Sequence, residues 1–272
     1  MDISILPGDL RQHYISYFLE LNGVENKYIY SFENADVYIV PTPFTRDGIY
    51  VNSPLKEPVS ILEFVEHLDD KSIVFSGGVC PEIIELLSAK SVKVFDYLKD
   101  SEMTLYNANL TANGLLHDII EFTPFSLMNT KVLILGYGNC GKSIAAMLRP
   151  LVQTVNVYDH TERNMEKVIE DGLNEIYYNE LEKALLQCNV VINTVPEPIL
   201  TDLHLSSVNE ITYFFEIASH PFGFQKELFH KYNLNLIYCP GLPGKYTPMC
   251  AGKRIATYII TKLKGCQITH DS

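Results

Sequence analysis

No two of the six cysteines (Cys80, Cys140, Cys188, Cys239, Cys250, Cys266) stand at CxxC spacing, and the eight histidines form no HExxH or comparable ligand set. That argues against a structural zinc site and a disulfide framework, so reduced thiols and no metal are expected. Positive charge is also scarce: 21 Lys and Arg stand against 33 Asp and Glu, a formal net charge of −12. Nucleic acid and anionic membrane do not gather around so negative a field, and neither is expected as a partner. No uncharged apolar run approaches the ~20 residues that span a bilayer. The first residues, MDISILPGDL, lack a basic leader and meet Pro-Gly at once, unlike a signal peptide. A soluble, cytoplasmic protein is the expectation.

What the chain does have is apolar strands alternating with helical stretches along 272 residues that are 47% hydrophobic. This is the pattern of α/β architecture, with enough chain for two ordinary domains. Strands are predicted at 3–9, 27–32, 36–44, 72–78 and 92–98, with helices through Leu21 and at 59–68 and 81–89. Together they make a flavodoxin-like or Rossmann-like domain over 1–100. A second series, at 131–135, 154–159, 175–178, 189–195, 213–218 and 234–244, fits one doubly wound domain over 123–246. The segment 101–122 reads as a linking helix, since Leu105/Tyr106, Leu110, Ala112, Leu115/Leu116 and Ile119/Ile120 recur near period 3.6. The closing stretch, 247–272, reads as a C-terminal helix that packs back on the first domain. The fold class expected is two Rossmann-like, doubly wound parallel-sheet domains joined by helices.

The stretch KVLILGYGNCGKSIAAML (131–148) matches two phosphate-binding patterns at once. Gly136-x-Gly138-x-x-Gly141 is a dinucleotide fingerprint, while Gly136 followed by Gly141-Lys142-Ser143 is a literal nucleoside-triphosphate P-loop. A dinucleotide domain also needs a strand before the loop, a helix after it and an acid ending the next strand. KVLIL, KSIAAML and Asp159, 18 residues beyond Gly141, supply all three. A P-loop needs a metal-supporting Asp after an apolar strand; NVVINTV has none, and Glu216 is a weak stand-in. The dinucleotide reading is preferred. Gly136, Tyr137, Gly138, Asn139, Cys140 and Gly141 are the expected pyrophosphate loop, with Asp159 and His160 at the ribose. Asp159 favours NAD over NADP by accepting from both ribose hydroxyls and repelling a 2′-phosphate; His160 and Arg163 soften that preference. Thr194, Val195, Pro196, Ala218, Gly241, Leu242 and Pro243 end later strands, where a doubly wound sheet borders its cofactor.

Several segments resemble the A-subunit family of dipicolinate synthase in order and spacing. They are PGDLRQ, VFSGGV, LYNANLTANG, LILGYGNCGKSIA, NTVPEPIL, EIASHPFGF and CPGLPGKYTPMCAGKRIA. The resemblance implies NAD(P)-dependent oxidation of dihydrodipicolinate, a small dicarboxylate, to dipicolinate during sporulation. It further implies the flavoprotein-like B-subunit of dipicolinate synthase as partner. A homo-oligomer is a separate expectation. The family carries an Ala-Arg pair where this chain has Asp159-His160, and a basic residue at the position of His220.

A dicarboxylate calls for forked cationic donors, which Arg supplies better than Lys. Arg11 in PGDLRQ and Arg46 in PTPFTRDG both follow strands. With Asp9, Thr42 and Lys245 they form the expected substrate set, Asp9 orienting Arg11; a plain surface charge is the competing reading, strongest for Arg46. Asn107 and Thr111 share a helical stripe with Gly114 and Asp118, read either as a solvated face or as a face toward substrate. They join His220 as catalytic candidates, His220 as a second polar contact or proton acceptor. PGLPG (240–244) reads at least as a turn. A stand-alone 2-hydroxy-acid or alanine-type dehydrogenase and a non-catalytic NAD-binding scaffold stay open. Against the first, no Arg follows the fifth strand of the second series.

Overall fold

Val37, Tyr38 and Ile39 are all buried, although successive strand residues point to opposite faces. Only a sheet covered on both sides explains this, as in parallel α/β folds. Val37 and Ile39 join one apolar cluster with Ile15, Phe18, Ile255 and Ile259. Tyr38 and Val40 join the other, with Phe64, Ile83 and Leu87.

The computed structural model describes residues 1–31 and 33–268, which divide into two units. The first unit comprises Met1–Asn107 and the chain from Gly244 onward; the second is Ala108–Pro243. The first unit runs β1 (Ile3–Ile5), α1 (Leu10–Leu21), β2 (Lys27–Tyr28), β3 (Val37–Ile39), α2 (Ile61–His67), β4 (Ile73–Ser76), α3 (Pro81–Ala89) and β5 (Lys93–Asp96). Its five strands are parallel in the order β2-β1-β3-β4-β5, the flavodoxin-like winding. Helix α4 (Ser101–Phe122) begins in the first unit and ends in the second.

The second unit continues with β6 (Lys131–Leu135), α5 (Asn139–Leu148), β7 (Thr154–Tyr158), α6 (Glu162–Glu170), β8 (Asn174–Glu175) and α7 (Leu181–Gln187). It ends with β9 (Val190–Asn193), α8 (Asp202–Ser206), β10 (Tyr213–Glu216), α9 (Lys226–Lys231) and β11 (Asn235–Tyr238). Its parallel sheet has the order β11-β10-β9-β6-β7-β8, that of a dinucleotide-binding domain. Helices α10 (Leu242–Tyr246) and α11 (Pro248–Ile268) close the chain. The architecture is therefore two parallel-sheet α/β domains.

Several predicted strands are shorter in the structure. Pairing at 36–44 stops at Ile39, before Pro41 and Pro43, which lack the amide a ladder needs. At 92–98 the strand gives way to a 3₁₀ turn over Tyr97–Lys99, seeded by Asp96 accepting from the Leu98 amide. At 27–32 only Lys27–Tyr28 pairs, and Phe32 lies outside the described residues, as do the last four residues of the predicted 247–272 helix. PGLPG is more than a turn, because Leu242–Tyr246 is helical after Gly241 at φ +64.

Helix α11 packs along α1, and one glycine sets their distance. A Cβ on Gly252 would lie 2.6 Å from Tyr14 Cβ and 2.9 Å from the Arg11 carbonyl oxygen. Gly252→Ala is expected to cost ~1–3 kcal/mol by forcing the helices apart. Gly265, on the same helix, has nothing within 4 Å of such a Cβ. There, Gly265→Ala should stabilise by up to ~1 kcal/mol through helix propensity. Denaturant unfolding of both variants checks the pair; shifts of the same sign refute this account of the α1–α11 contact.

Candidate functional site

In a doubly wound sheet, ligands meet the carboxyl ends of strands where the strand order reverses. Each unit places sequence-predicted residues at that point.

In the second unit the reversal lies between β6 and β9. The glycine loop leaves β6, and Thr194 and Val195 leave β9. Gly136 has φ +96, and a Cβ on it would collide with Thr194 Oγ1 and lie 2.5 Å from Val195 Cγ2. A Cβ on Gly141 would collide with the Gly136 carbonyl oxygen. Both glycines are thus required by contact. Gly138 differs: at φ −75 it has nothing within 4 Å. It is also the N-cap of α5, with no side chain to satisfy the helix's first amides, which leaves those N–H groups and the positive end of the helix dipole for an anion. Open space beside Gly138 and an uncapped ten-residue helix fit a dinucleotide pyrophosphate.

The same geometry disfavours the triphosphate pattern. Ser143, which would hold a metal, is buried, and Lys142 Nζ lies over the Tyr137 ring at 5.4 Å. Cys140 is half-buried, and burial pushes its thiol pKa up.

Asp159 follows β7 as predicted, but its carboxylate turns inward. Oδ2 accepts from the Tyr137 amide at 2.7 Å and from Asn164 Nδ2 at 3.1 Å. Oδ1 accepts from the Thr161 amide at 2.9 Å and its hydroxyl at 2.8 Å. Burial opposes its ionisation, but the Thr161 and Tyr137 amides and the side chains of Thr161 and Asn164 hold its pKa below the ordinary value. His160 beside it is exposed, with Nδ1 3.8 Å from Asp159 Oδ1.

At the end of β9, Thr194 Oγ1 donates to the Leu135 carbonyl, and Pro196 is exposed. At the end of β10, buried Glu216 anchors the following loop. It accepts from the amides of Ala218, Gly223 and Phe224 and from Asn193 Nδ2, at 2.7–3.0 Å. That loop presents His220 to a cavity of about 390 Å³ shared with Phe222, Lys226, Tyr238 and Pro240. Gly241 is exposed, whereas Leu242 and Pro243 are buried.

In the first unit the reversal lies between β1 and β3, and Arg11 bridges it. Asp9 N-caps α1 and takes Arg11 side-on: Nε donates to Oδ1 at 2.9 Å and Nη2 to Oδ2 at 2.6 Å. Nη2 also donates to the Thr42 carbonyl at 3.0 Å. Desolvation would raise the Asp9 pKa, but Arg11 holds it below its ordinary value, with the field of Arg46 adding to this. The expected fork is therefore already occupied by Asp9, and Nη1 retains two further N–H donors for a ligand. Arg46 is exposed with Nε on Asn52 Oδ1 at 3.0 Å, and Lys245 is exposed over the Tyr246 ring.

Asn107 and Thr111 lie on α4, half-buried and buried respectively, and each has an interaction partner. Their stripe continues through buried Gly114 and Asp118, so the solvated-face reading is corrected.

Sequence reasoning missed Tyr97, whose hydroxyl meets Thr42 Oγ1 in a short hydrogen bond, and the Asn193–Glu216 pair. The signal for the pair was present: each is the polar last residue of an apolar strand, and the two are in register.

The loop geometry gives a sharp test. Gly138→Val should fold with stability within ~0.5 kcal/mol, because its backbone is ordinary and its surroundings empty. Its affinity for NAD(H) should nonetheless collapse. Gly141→Ala should instead lose stability, since the contact is with backbone. Calorimetric binding and thermal melts separate the two, and undiminished NAD(H) binding by folded Gly138→Val overturns the pyrophosphate assignment.

Comparison with known proteins agrees with this division. Residues 102–209 match the NAD binding domain of the D-isomer specific 2-hydroxyacid dehydrogenases. Residues 23–98 match the N-terminal domain of the dipicolinate synthase A-subunit. The dipicolinate synthase A-subunit of Bacillus subtilis (strain 168) is 28% identical over 239 residues, 85% of this chain and 78% of that protein. The crystal structure of the dipicolinate synthase A-subunit from Bacillus halodurans superposes with a TM-score of 0.85 at 22% identity, covering 96% of this chain and 97% of that one. The crystal structure of its counterpart from Bacillus subtilis gives 0.82 at 22% identity, covering 100% and 98%. These two structures share the fold. The second unit is a dehydrogenase-type NAD-binding domain, and the chain is similar to the A-subunits of dipicolinate synthase over both units.

Proposed function

We propose that this chain is the dehydrogenase subunit of a dipicolinate synthase, oxidising dihydrodipicolinate to dipicolinate during sporulation in the cytoplasm. The observation that supports it best is the pairing of two differently equipped strand-reversal points on one chain. One carries an uncapped helix N-terminus beside Gly138, and the other a pre-oriented guanidinium at Arg11. NAD or NADP would lie on the glycine loop, along Thr194, Val195, Pro196, Ala218 and Gly241.

A bound nicotinamide would supply the hydride acceptor, and aromatisation of the ring the driving force. The protein's own task is then mainly to bind and orient. Arg11 offers the Nη1 donors to a substrate carboxylate, while Asp9 and the Thr42 carbonyl fix its plane. Because Asp9 neutralises Arg11, the net positive charge for a dicarboxylate comes from Arg46 and Lys245. Asn107 and Thr111 would hydrogen-bond the substrate. His220, on the loop anchored by Glu216, is the candidate proton acceptor. The flavoprotein-like B-subunit of dipicolinate synthase as partner and a homo-oligomeric state complete the reading.

Mixing the chain, with and without that flavoprotein-like partner, with dihydrodipicolinate and NAD⁺ or NADP⁺ tests it directly. Absorbance of reduced cofactor is the expected result. Turnover of a 2-hydroxy acid alone would instead favour a stand-alone dehydrogenase, and no turnover in any mixture a scaffold.

Arg11→Lys keeps the charge but cannot hold Asp9, Thr42 and substrate together. It should lower kcat/KM for dihydrodipicolinate by one to two decades, about 1.5–3 kcal/mol, with the dinucleotide Kd changed less than about twofold. Arg46→Ala and Lys245→Ala should act mainly on KM. Full turnover by Arg11→Lys moves the carboxylate contact to those two residues.

A further inference from the structure

An acid ending the second strand of a dinucleotide domain ordinarily accepts from the ribose hydroxyls. Asp159 stands at that position with no acceptor site to spare. A carboxylate has about four lone-pair positions, and Tyr137, Asn164 and Thr161 (amide and hydroxyl) fill them. The side chain is only 5% exposed. A ribose hydroxyl would have to displace one of these donors and leave it unpaired, which gains little.

What Asp159 does hold is the glycine loop. The Tyr137 amide it accepts belongs to the residue between Gly136 and Gly138. Two more bonds fasten the same turn: the Gly136 amide to the Tyr158 carbonyl at 2.8 Å, and the Tyr137 hydroxyl to Asp171 at 2.8 Å. Asp159 also accepts from Thr161, the N-cap of α6. It thereby clamps the pyrophosphate turn to the start of the next helix.

Beside it opens a cavity of about 490 Å³, lined by Tyr158, Tyr177 and Tyr178 and by three exposed ionisable groups, His160, Glu162 and Glu166. Glu162 sits in the first turn of α6, where it offsets the helix-dipole charge that would attract a phosphate. Glu166 lies one turn further along the same helix.

We propose that Asp159 is a positioning residue for the glycine loop, and that selection at the ribose 2′ position is made by the groups of the adjoining cavity, chiefly Glu162 and Glu166. These carboxylates disfavour a 2′-phosphate, so NAD is the preferred cofactor even though Asp159 is withdrawn. The inference rests on the reading that the chain binds a nicotinamide dinucleotide.

Titration calorimetry of the full chain with NAD⁺ and NADP⁺ tests it in two arms. Asp159→Asn, with its fold checked by circular dichroism, should weaken both cofactors tenfold or more and leave the NAD:NADP affinity ratio within about threefold. Inorganic pyrophosphate, which carries no ribose, should lose affinity in parallel. Glu162→Gln/Glu166→Gln should shift the ratio toward NADP by about tenfold with NAD affinity nearly kept. Both residues are exposed, so this arm stands even if Asp159→Asn does not fold. A ratio that moves in Asp159→Asn, with NADP binding kept, shows that Asp159 reads the ribose and overturns the proposal. An unmoved ratio in the double Gln variant overturns it as well. Failure of the unmodified chain to bind either cofactor would instead remove the underlying dinucleotide reading.

Discussion

The Gly141 backbone lies so close to the Gly136 carbonyl that an added Cβ would collide with that oxygen. This approach lets β6 reverse into α5 within three residues, since β6 ends at Leu135 and α5 begins at Asn139. The reversal drops the α5 N-terminus beside the point where the strand order turns. Gly136 packs onto Thr194 and Val195 at the end of β9, so the neighbouring strand is held against the same turn. Neither contact tolerates a side chain. Gly138, between them, faces open space because the loop has already been fixed by its two flanking glycines. An anion-binding surface of backbone N–H groups follows from two contacts that exclude side chains and one position that leaves room for ligand.

Much of this was legible in the sequence, because each step has a local signature. Apolar runs marked the strands, and glycine spacing marked the turn. The helix at 101–122 showed in its periodicity, whose apolar positions Leu110, Ala112, Leu115 and Ile119 are buried. The same periodicity also put Leu105 and Ile120 inward, yet they are 51% and 58% exposed. A single helix face cannot accommodate both members of each doublet. The stripe through Asn107, Thr111, Gly114 and Asp118 was harder to assign, since polar type suggested solvent. Asp118 is nevertheless 1% exposed, because the interior of this helix face accepts polar groups that have partners.

The roles of the acids were less legible. Position alone marks Asp159 as the end of β7; it does not say which way the carboxylate turns. Its direction is decided by donors at separations of 2, 5 and 22 residues, the last across the sheet. The same holds for Glu216, which offered itself in sequence as a candidate metal-supporting acid. Its carboxylate is filled by three loop amides and the Asn193 side chain. Burial raises its pKa, and only that full set of donors makes the buried group tolerable.

Asp9, Asp159 and Glu216 therefore share one physical role. Each lies just beyond or at the carboxyl end of a parallel strand, where the following loop must be held without a ladder partner. Each is committed to donors of that loop or the next helix: Arg11 for Asp9, Tyr137 and Thr161 for Asp159, and Ala218, Gly223 and Phe224 for Glu216. A carboxylate suits this task because it accepts several bonds at once; those of Asp159 and Glu216 are buried, while Asp9 is exposed and its charge is offset by Arg11. In a chain of net charge −12 that placement matters electrostatically. A pyrophosphate or dicarboxylate approaching these strand ends would otherwise meet exposed acids. Burial of Asp159 and Glu216 within their loops, and the pairing of Asp9 with Arg11, leave the backbone amides of the α5 N-terminus without an exposed acid of this set beside them.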